Sequence, residues 1–139
     1  MSYNHQMDQV RCDAGTGLTL VGTGIKARFL NTGLYPVVVS GAAILVEVVA
    51  GDQAIFTIRH RPTIASATGQ TTIDTITLET TDAAGKVVYV TGLDTKVLPG
   101  EEVVFDLTDA AASGTVHCVL MTKPSWEQPA NVIDMRVSA

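Results

Sequence analysis

The sequence predicts an all-β protein: a single-domain β-sandwich, with jelly-roll-like or immunoglobulin-like (Ig-like) wiring, that carries a polar N-terminal arm. Three observations support this prediction. β-branched residues dominate the apolar runs, several runs alternate apolar and polar side chains, and Gly, Asp and Asn occupy the gaps between runs. Helical spacing occurs only briefly, around residues 109–112, and Ser113 and Gly114 end it.

The clearest strand follows a turn at Pro99 and Gly100. Proline sets φ at the first corner of a turn, and glycine tolerates the positive φ that a type II turn requires at the second corner. The residues after the turn alternate between an apolar face and a polar face: Val103, Phe105 and Leu107 against Glu102, Asp106 and Thr108. Such alternation is typical of a strand with one buried face.

The chain divides into an arm, residues 1–17, which is polar, and a β-sandwich domain, residues 18–139. The predicted strands cover residues 18–21, 25–30, 35–49, 54–59, 75–79, 86–90, 103–108, 114–121 and 131–137. Residues 35–49 are long enough for two strands or one bent strand, with Gly41 at a bulge or corner. This many short strands suits two packed sheets, although the strand order does not follow from the sequence.

The composition is that of a folded, acidic protein. The chain has 139 residues, of which 46% are hydrophobic and 17% charged, enough for one domain with a sizeable core. The net charge of −5 disfavours nucleic acid as a partner, since phosphate binding needs clustered Lys and Arg. The apolar run at residues 37–50 is too short and too interrupted for a membrane helix. We therefore expect neither nucleic acid nor a membrane as a partner.

The first residues lack the basic start and the apolar centre of a signal peptide. We therefore expect synthesis in a cytoplasm. A reducing compartment also suits the two cysteines, Cys12 and Cys118, which lie far apart in sequence and in no redox or metal-ligand spacing. Cys118 falls in an apolar run and is expected to be a buried apolar side chain, with a disulfide to Cys12 as the alternative.

We expect no catalytic residue, no metal ion and no cofactor, and hence no enzyme. His117 and Cys118 are adjacent in a strand and face opposite sides of the sheet, so they do not share a metal ion. No nucleophile elbow, phosphate-binding loop or zinc-protease motif occurs in the chain. A calcium site assembled from several loops is an alternative that the sequence leaves open.

The segment at residues 123–129 is the most distinctive stretch outside the strands. It holds two prolines with the only tryptophan, Trp126, between them. A stiff loop that carries an aromatic side chain makes a good docking anchor, because little conformational entropy is lost on binding. The alternative is that Trp126 folds back and closes one end of the sandwich.

Residues 99–110, followed by residues 114–121 and preceded by Gly- and Thr-rich strands, resemble the decoration (cement) proteins of tailed-bacteriophage heads. The resemblance implies a non-enzymatic virion protein with the fold described above. It also implies binding to the outside of the capsid, often as a homotrimer, and bridging of neighbouring copies of the major capsid protein. The expected partners are therefore the major capsid protein and further copies of the chain, and the expected location is the capsid surface.

The predicted sites are accordingly interfaces. They lie in three places: the arm (Tyr3, His5, Met7 and Val10), a basic corner (Arg59, His60 and Arg61) and the loop at Trp126. His60 between two arginines at a strand end is expected to make interface contacts or to be solvated.

The alternative is a β-sandwich that binds carbohydrate or mediates host attachment. Such sites present several aromatic side chains on one face, whereas aromatics make up only 5% of this chain. The positions of Phe29, Tyr35, Phe56, Tyr89 and Phe105, in or beside apolar runs, favour core or strand-edge roles for them.

Overall fold

The computed structural model describes residues 10–82 and 84–125, with side chains from residue 14 onward. Within these residues the chain forms strands joined by turns and loops. The strands are β1 (Val10–Thr19), β2 (Gly24–Leu30), β3 (Val37–Ala50), β4 (Ala54–Arg61), β5 (Thr71–Leu78), β6 (Val87–Val97), β7 (Glu102–Asp109) and β8 (Ser113–Pro124).

The strands form two antiparallel four-stranded sheets. Sheet A has the order β1-β8-β3-β6, and sheet B has the order β2-β7-β4-β5. Among the described strands, the first thus pairs with the eighth, the second with the seventh, the third with the sixth and the fourth with the fifth. This is the pattern of one long hairpin rolled into two layers, which is the jelly roll. The predicted β-sandwich is confirmed, and the strand order selects the jelly-roll wiring over the Ig-like one.

The core lies between the two sheets and consists of side chains at alternate strand positions. Phe56 of β4 and Phe105 of β7 meet edge to face, with ring centroids 6.5 Å apart and an interplanar angle of 77°. Ile44 of β3 and Leu120 of β8 are fully buried in the same cluster, from the side of sheet A. The core face predicted for residues 103–108 is confirmed, since Val103, Phe105 and Leu107 all belong to the core. The opposite face is less exposed than predicted, because Glu102 and Val104 are buried as well.

The predicted segment 35–49 is one bent strand, β3. Its register against both neighbours shifts between Val39 and Gly41. A side chain at Gly41 would come within 2.8 Å of the Val90 carbonyl oxygen, so glycine lets β6 approach closely at the bend. A bulge that bends a strand is thus placed where the sequence has its only glycine within the run.

Two strands are longer than the sequence predicts. β1 begins at Val10, because residues 10–17, which the sequence analysis assigns to the arm, belong to a strand that pairs with β8. The register of this pairing shifts on both sides of Gly15. β6 continues to Val97, beyond residue 90, because its pairing with β3 resumes after an irregular stretch. Residues 109–112 form no helix: Asp109 ends β7, and residues 110–112 connect β7 to β8. The predicted strand at residues 131–137 lies outside the described residues.

The predicted turn at Pro99 and Gly100 is confirmed. Gly100 has φ of 86°, and the Glu101 N–H donates to the Leu98 carbonyl at 3.0 Å, as in a type II turn. The turn joins β6 of sheet A to β7 of sheet B.

The β5–β6 connection is held by a buried carboxylate. Asp82 Oδ2 accepts the Glu79 N–H at 2.8 Å, and Asp82 Oδ1 contacts the Lys86 ammonium. The hydrogen bond from Lys86, and then the one from the Glu79 backbone, lower the pKa of Asp82 below its ordinary value of 3.8.

We expect Phe105→Ala to lower the free energy of unfolding by about 3–5 kcal/mol, because it removes a fully buried ring and leaves a cavity. Thr77→Ala, an exposed position on β5, is the control and should change stability by about 0.5 kcal/mol or less. Chemical denaturation of both variants measures the difference, and equal losses would contradict the core assignment.

We expect Asp82→Asn to destabilise the protein at neutral pH by on the order of 1 kcal/mol, a modest value because Lys86 is partly exposed. A carboxylate whose pKa is lowered by folding stabilises the native state above its unfolded pKa. That contribution is lost as the pH falls through the lower, folded pKa. Denaturation curves from pH 7 to pH 2 should therefore converge for the two proteins below about pH 4, with the exposed Asp52→Asn as control.

Candidate functional site

Strand pairing brings parts of the predicted interfaces to the same end of the sandwich. Val10, where β1 begins, pairs with Thr122 near the end of β8. On β4, Arg61 pairs with Glu102, where β7 begins. The loops 31–36, 62–70 and 98–101 connect strands at this same end. The arm, the basic corner and the segment that carries Trp126 are therefore joined to neighbouring points of the fold, although they are distant in sequence.

This end displays large apolar side chains. Leu34 is 81% exposed and Tyr35 is 50% exposed in the loop 31–36. Leu30, Ile64 and Leu98 are also exposed, in or beside the same three loops. We call this surface, formed by Leu30, Leu34, Tyr35, Ile64 and Leu98, the apolar end. An apolar surface assembled from several loops is typical of an interaction site.

A buried asparagine fixes two of these loops to each other. Asn31 Nδ2 donates to the Val97 carbonyl at 2.9 Å and to the Tyr35 carbonyl at 3.0 Å. Its backbone N–H donates to the Glu101 carbonyl, and its carbonyl accepts the Gly100 N–H. The loop that carries Leu34 and Tyr35 is therefore held against the β6–β7 turn by hydrogen bonds from both the side chain and the backbone of Asn31.

A buried carboxylate fixes the third loop. Glu102 is 2% exposed, and its Oε1 accepts the Ala65 N–H at 3.0 Å. Arg61 lies 3.5 Å and Arg28 3.7 Å from its carboxylate oxygens. Ala65 has φ of 58°, a left-handed conformation that costs a non-glycine residue energy and that this hydrogen bond helps to hold. The loop 62–70, with Ile64, is thereby tied to the start of β7.

The predicted basic corner makes ion pairs within the chain. Arg59 lies 3.3 Å from Asp106, and His60 Nε2 lies 2.9 Å from Glu101 Oε1. Together with the pairing of Arg61 and Glu102, each side chain of the corner faces a carboxylate of the β6–β7 turn or of β7. His60 and Arg61 thus contact carboxylates next to the apolar end, Arg59 links β4 to β7, and the role of the three residues as an interface stays a prediction.

The remaining predicted interface residues, Tyr3, His5, Met7 and Trp126, lie outside the described residues. The neighbouring Ser125 donates its N–H to the Pro36 carbonyl at 3.2 Å, so the chain leaves β8 beside Tyr35. A groove of about 350 Å³ runs there, lined in part by Phe29, Tyr35 and Pro124.

The outer faces of the two sheets differ in chemistry. Sheet B carries the ion pairs described above, together with threonines such as Thr57 and Thr75. Sheet A carries an apolar groove of about 280 Å³ across β8, β3 and β6. We call this surface, formed by Ala43, Leu45, Val87, Tyr89, Val119 and Met121, the apolar face.

Reactive chemistry is sparse in the part of the chain that the structure describes. Cys118 is a free, buried thiol, and burial raises its pKa to about 12, which confirms its expected role as an apolar side chain. His117 contacts Glu47 at 2.6 Å and accepts the Gly17 N–H on Nδ1, so both ring nitrogens are engaged. No group of three or more metal-ligating side chains occurs among the described residues.

The exposed aromatics depart in part from expectation. Phe56 and Phe105 lie in the core, and Tyr89 lies on the edge strand β6, as predicted. Tyr35, in contrast, is in a loop and exposed. The sequence signal for the apolar end was the pair Leu34-Tyr35 between Gly33 and Pro36, which are turn residues at which a buried strand does not begin.

No protein-family model and no curated protein sequence matches the chain. Among solved structures, the chain is similar to the Eiger TNF of S. frugiperda, with 14% identity, a TM-score of 0.40 and 88% of each chain covered. It is also similar to a protein of the disulfide-linked pili that form Bacillus endospore appendages, with 15% identity, a TM-score of 0.36 and 84% of this chain and 85% of that chain covered.

A third similarity is to a chain of the infectious bursal disease virus Gx strain, with 8% identity and a TM-score of 0.39. It covers 87% of this chain and 34% of the viral chain. At identities this low, the three similarities concern the fold and not the function. Among the described residues no helix has the length and apolarity to span a membrane.

We expect Glu102→Gln to destabilise the protein by on the order of 2 kcal/mol, because it leaves Arg28 and Arg61 without their shared carboxylate. Glu79→Gln, an exposed carboxylate at the other end of the sandwich, is the matched control and should have little effect. Limited proteolysis should cut the loop 62–70 faster in the first variant only. Equal cleavage rates would show that Glu102 does not hold that loop.

Proposed function

We propose that this chain is a capsid decoration (cement) protein of a tailed bacteriophage. It is a virion structural protein that binds the outer surface of the head and stabilises it by bridging copies of the major capsid protein. In this proposal the protein is made in the host cytoplasm and resides on the capsid surface, and it catalyses no reaction.

The observation that carries the proposal is the apolar end. Exposed leucine, isoleucine and tyrosine side chains there stand on three loops that Asn31 and Glu102 hold in fixed positions. A preorganised apolar surface loses little entropy on binding, which favours docking onto another protein. Both the segment before Val10 and the segment after Ser125 join the fold at this end, so they can extend the same contact.

The repeated surface of a capsid favours binding through a site such as the apolar end. A head presents the same binding position many times, and a protein that touches two neighbouring subunits gains from effective concentration. A modest apolar contact is then sufficient for high occupancy. The ion pair of Arg61 with Glu102 contributes by holding the loop 62–70, and charged groups at the rim of an interface add specificity more than affinity.

A carbohydrate-binding module is the second candidate, and one observation favours it. Tyr35 is half exposed beside a groove of about 350 Å³, an arrangement in which an aromatic ring can cover the apolar face of a sugar. The capsid proposal is preferred because the other exposed side chains of the apolar end are aliphatic.

We expect the double variant Leu34→Asp, Tyr35→Ser to lose attachment to heads of the phage that encodes the chain, with at least about a tenfold drop in occupancy because two apolar contacts are removed. The control is Val21→Asp. Val21 is 51% exposed, like Tyr35, but lies in the β1–β2 connection at the opposite end of the sandwich. Bound protein is quantified after co-sedimentation with heads from which the native protein has been removed.

Wild-type protein that fails to co-sediment would overturn the proposal, and a glycan array would then test the second candidate. Equal losses for the control and the double variant would show that the apolar end is not the contact. Removal of residues 2–9, which stops before β1 begins, tests the arm separately. We expect weaker attachment with an unchanged unfolding transition.

A further inference from the structure

We propose that Trp126 packs, within its own copy of the chain, into the groove of about 350 Å³ at the apolar end and so extends the inter-sheet core. We call this surface the Tyr35 groove; among the residues that line it are Phe29, Leu34, Tyr35, Val37 and Pro124. Three features of the described residues support this placement of Trp126: an opening at the end of the core, the alternation of side chains along β8, and the point at which β8 ends.

The Tyr35 groove is an opening between the two sheets. Phe29 of β2 and Val37 of β3 line it from opposite sheets, and both pack against the core while remaining only partly buried. Pro124 of β8 pairs with Val37 and lines the groove on the side of sheet A. The described residues leave this opening unfilled. A large apolar side chain at this point would therefore cover the ends of core side chains and gain the free energy of removing them from water.

The alternation of side chains along β8 points position 126 toward this opening. Every residue of β8 has a partner on β3, so the alternation along β8 is not interrupted. Cys118 and Leu120 lie in the core, and Thr122 is 4% exposed. Side chains two positions apart in a strand lie on the same face. If the chain stays extended for two residues beyond Pro124, Trp126 thus faces the same side as Leu120.

The end of the described chain keeps this direction. The Ser125 N–H donates to the Pro36 carbonyl at 3.2 Å, which adds a hydrogen bond between the β8 and β3 segments after the last residue of β8. The next Cα atom lies about 3.8 Å from that of Ser125, because the distance across a trans peptide is fixed. Trp126 is therefore attached beside Pro36 and Pro124, which both line the Tyr35 groove.

The groove is formed without help from Trp126. Asn31 Nδ2 donates to the Tyr35 carbonyl at 3.0 Å, and Asn31 Oδ1 accepts the Gly33 N–H at 3.0 Å. These bonds hold the loop 31–36, so the wall that carries Tyr35 is already in place. An aromatic side chain that enters such a preformed site buries about 150–250 Å² and loses little entropy.

Attachment favours the chain's own tryptophan over that of a second copy. Trp126 follows directly after Ser125, whose backbone is hydrogen-bonded at the rim of the groove. A group on so short a connection has an effective concentration of about millimolar or more, which a second copy in dilute solution does not reach. We therefore assign the groove to Trp126 of the same copy.

This placement bears on the choice between the two candidate functions, and only this consequence rests on the proposed function. An indole ring in the Tyr35 groove takes the space that a sugar stacked on Tyr35 needs. Leu34, which is 81% exposed, remains available as a contact on the apolar end. The placement thus disfavours the carbohydrate-binding module and is compatible with attachment to a capsid.

Tryptophan fluorescence of the full-length chain tests the placement, because Trp126 is the only tryptophan and the signal reports on it alone. We expect native protein to emit at shorter wavelength than protein in denaturant and to be quenched several-fold less by acrylamide. Tyr35→Ser removes one wall of the groove and should shift the emission to longer wavelength and increase quenching. The matched control is Tyr89→Ser, a loss of a 62% exposed tyrosine on the outer face of sheet A, which should leave both quantities unchanged.

Far-UV circular dichroism of each variant verifies that it is folded. Native emission and quenching equal to those in denaturant would show that Trp126 is solvated and would overturn the proposal. Loss of the short-wavelength emission on dilution would assign the groove to a second copy, and an equal response of the two tyrosine variants would place Trp126 elsewhere; either result also overturns it. Since no head is involved, these outcomes are independent of failed attachment in the sedimentation experiment.

Discussion

The pairing of β3 with β8 is the constraint on which both candidate surfaces depend. These are the two longest of the described strands, with 14 and 12 residues, and they pair from Val37 opposite Pro124 to Ala50 opposite Ser113. β3 ends at Ala50 and β8 begins at Ser113, with β4 to β7 between them in sequence. The two strands can therefore pair only when this intervening chain folds back. It sets which side chains of sheet A enter the core and where the chain leaves the sandwich, beside Pro36.

The bulge in β3 decides the chemistry of the apolar face. A strand side chain changes face with every residue, so an irregularity in register reverses the alternation after it. The shift between Val39 and Gly41 directs Ala42 and Ile44 into the core and leaves Ala43 on the outside. The run from residue 37 to 50 is apolar at nearly every position, so one set of apolar side chains faces outward in either register. The apolar face follows from this composition.

Much of the fold could be predicted from the sequence because its signals are local. The turn at Pro99 and Gly100, the alternation after it, and the burial of Cys118 depend on neighbouring residues and are all confirmed. The extension of β6 to Val97 could not be predicted, because an irregular stretch interrupts the alternation of apolar and polar residues. The strand continues beyond that stretch only because it pairs again with β3. The choice between jelly-roll and Ig-like wiring likewise depends on pairings between strands that are far apart in the chain.

The candidate site also depends on contacts between residues that are far apart in sequence, which local signals do not predict. In sequence, Arg59, His60 and Arg61 form a compact basic cluster that suggests a binding surface. Their partners Glu101, Glu102 and Asp106 lie more than thirty-five residues away in the same strand pairing, so no local pattern reveals that the charges are already matched. Conversely, the sequence analysis assigns Tyr35 to a core or strand-edge position, but the fold places it in a loop, beside Leu34.

At the apolar end, charged side chains hold the loops in place and exposed apolar side chains provide the contact surface. Burying Glu102 costs desolvation energy, and two arginines and a backbone N–H offset that cost only when the loop 62–70 and β2 are in place. A buried ion pair of this kind adds little net stability, but it strongly disfavours other arrangements of the loops. The exposed surface of the apolar side chains, in contrast, contributes nothing to folding and becomes stabilising only when another surface covers it. Charges therefore fix the shape of the apolar end, and apolar contacts supply the affinity.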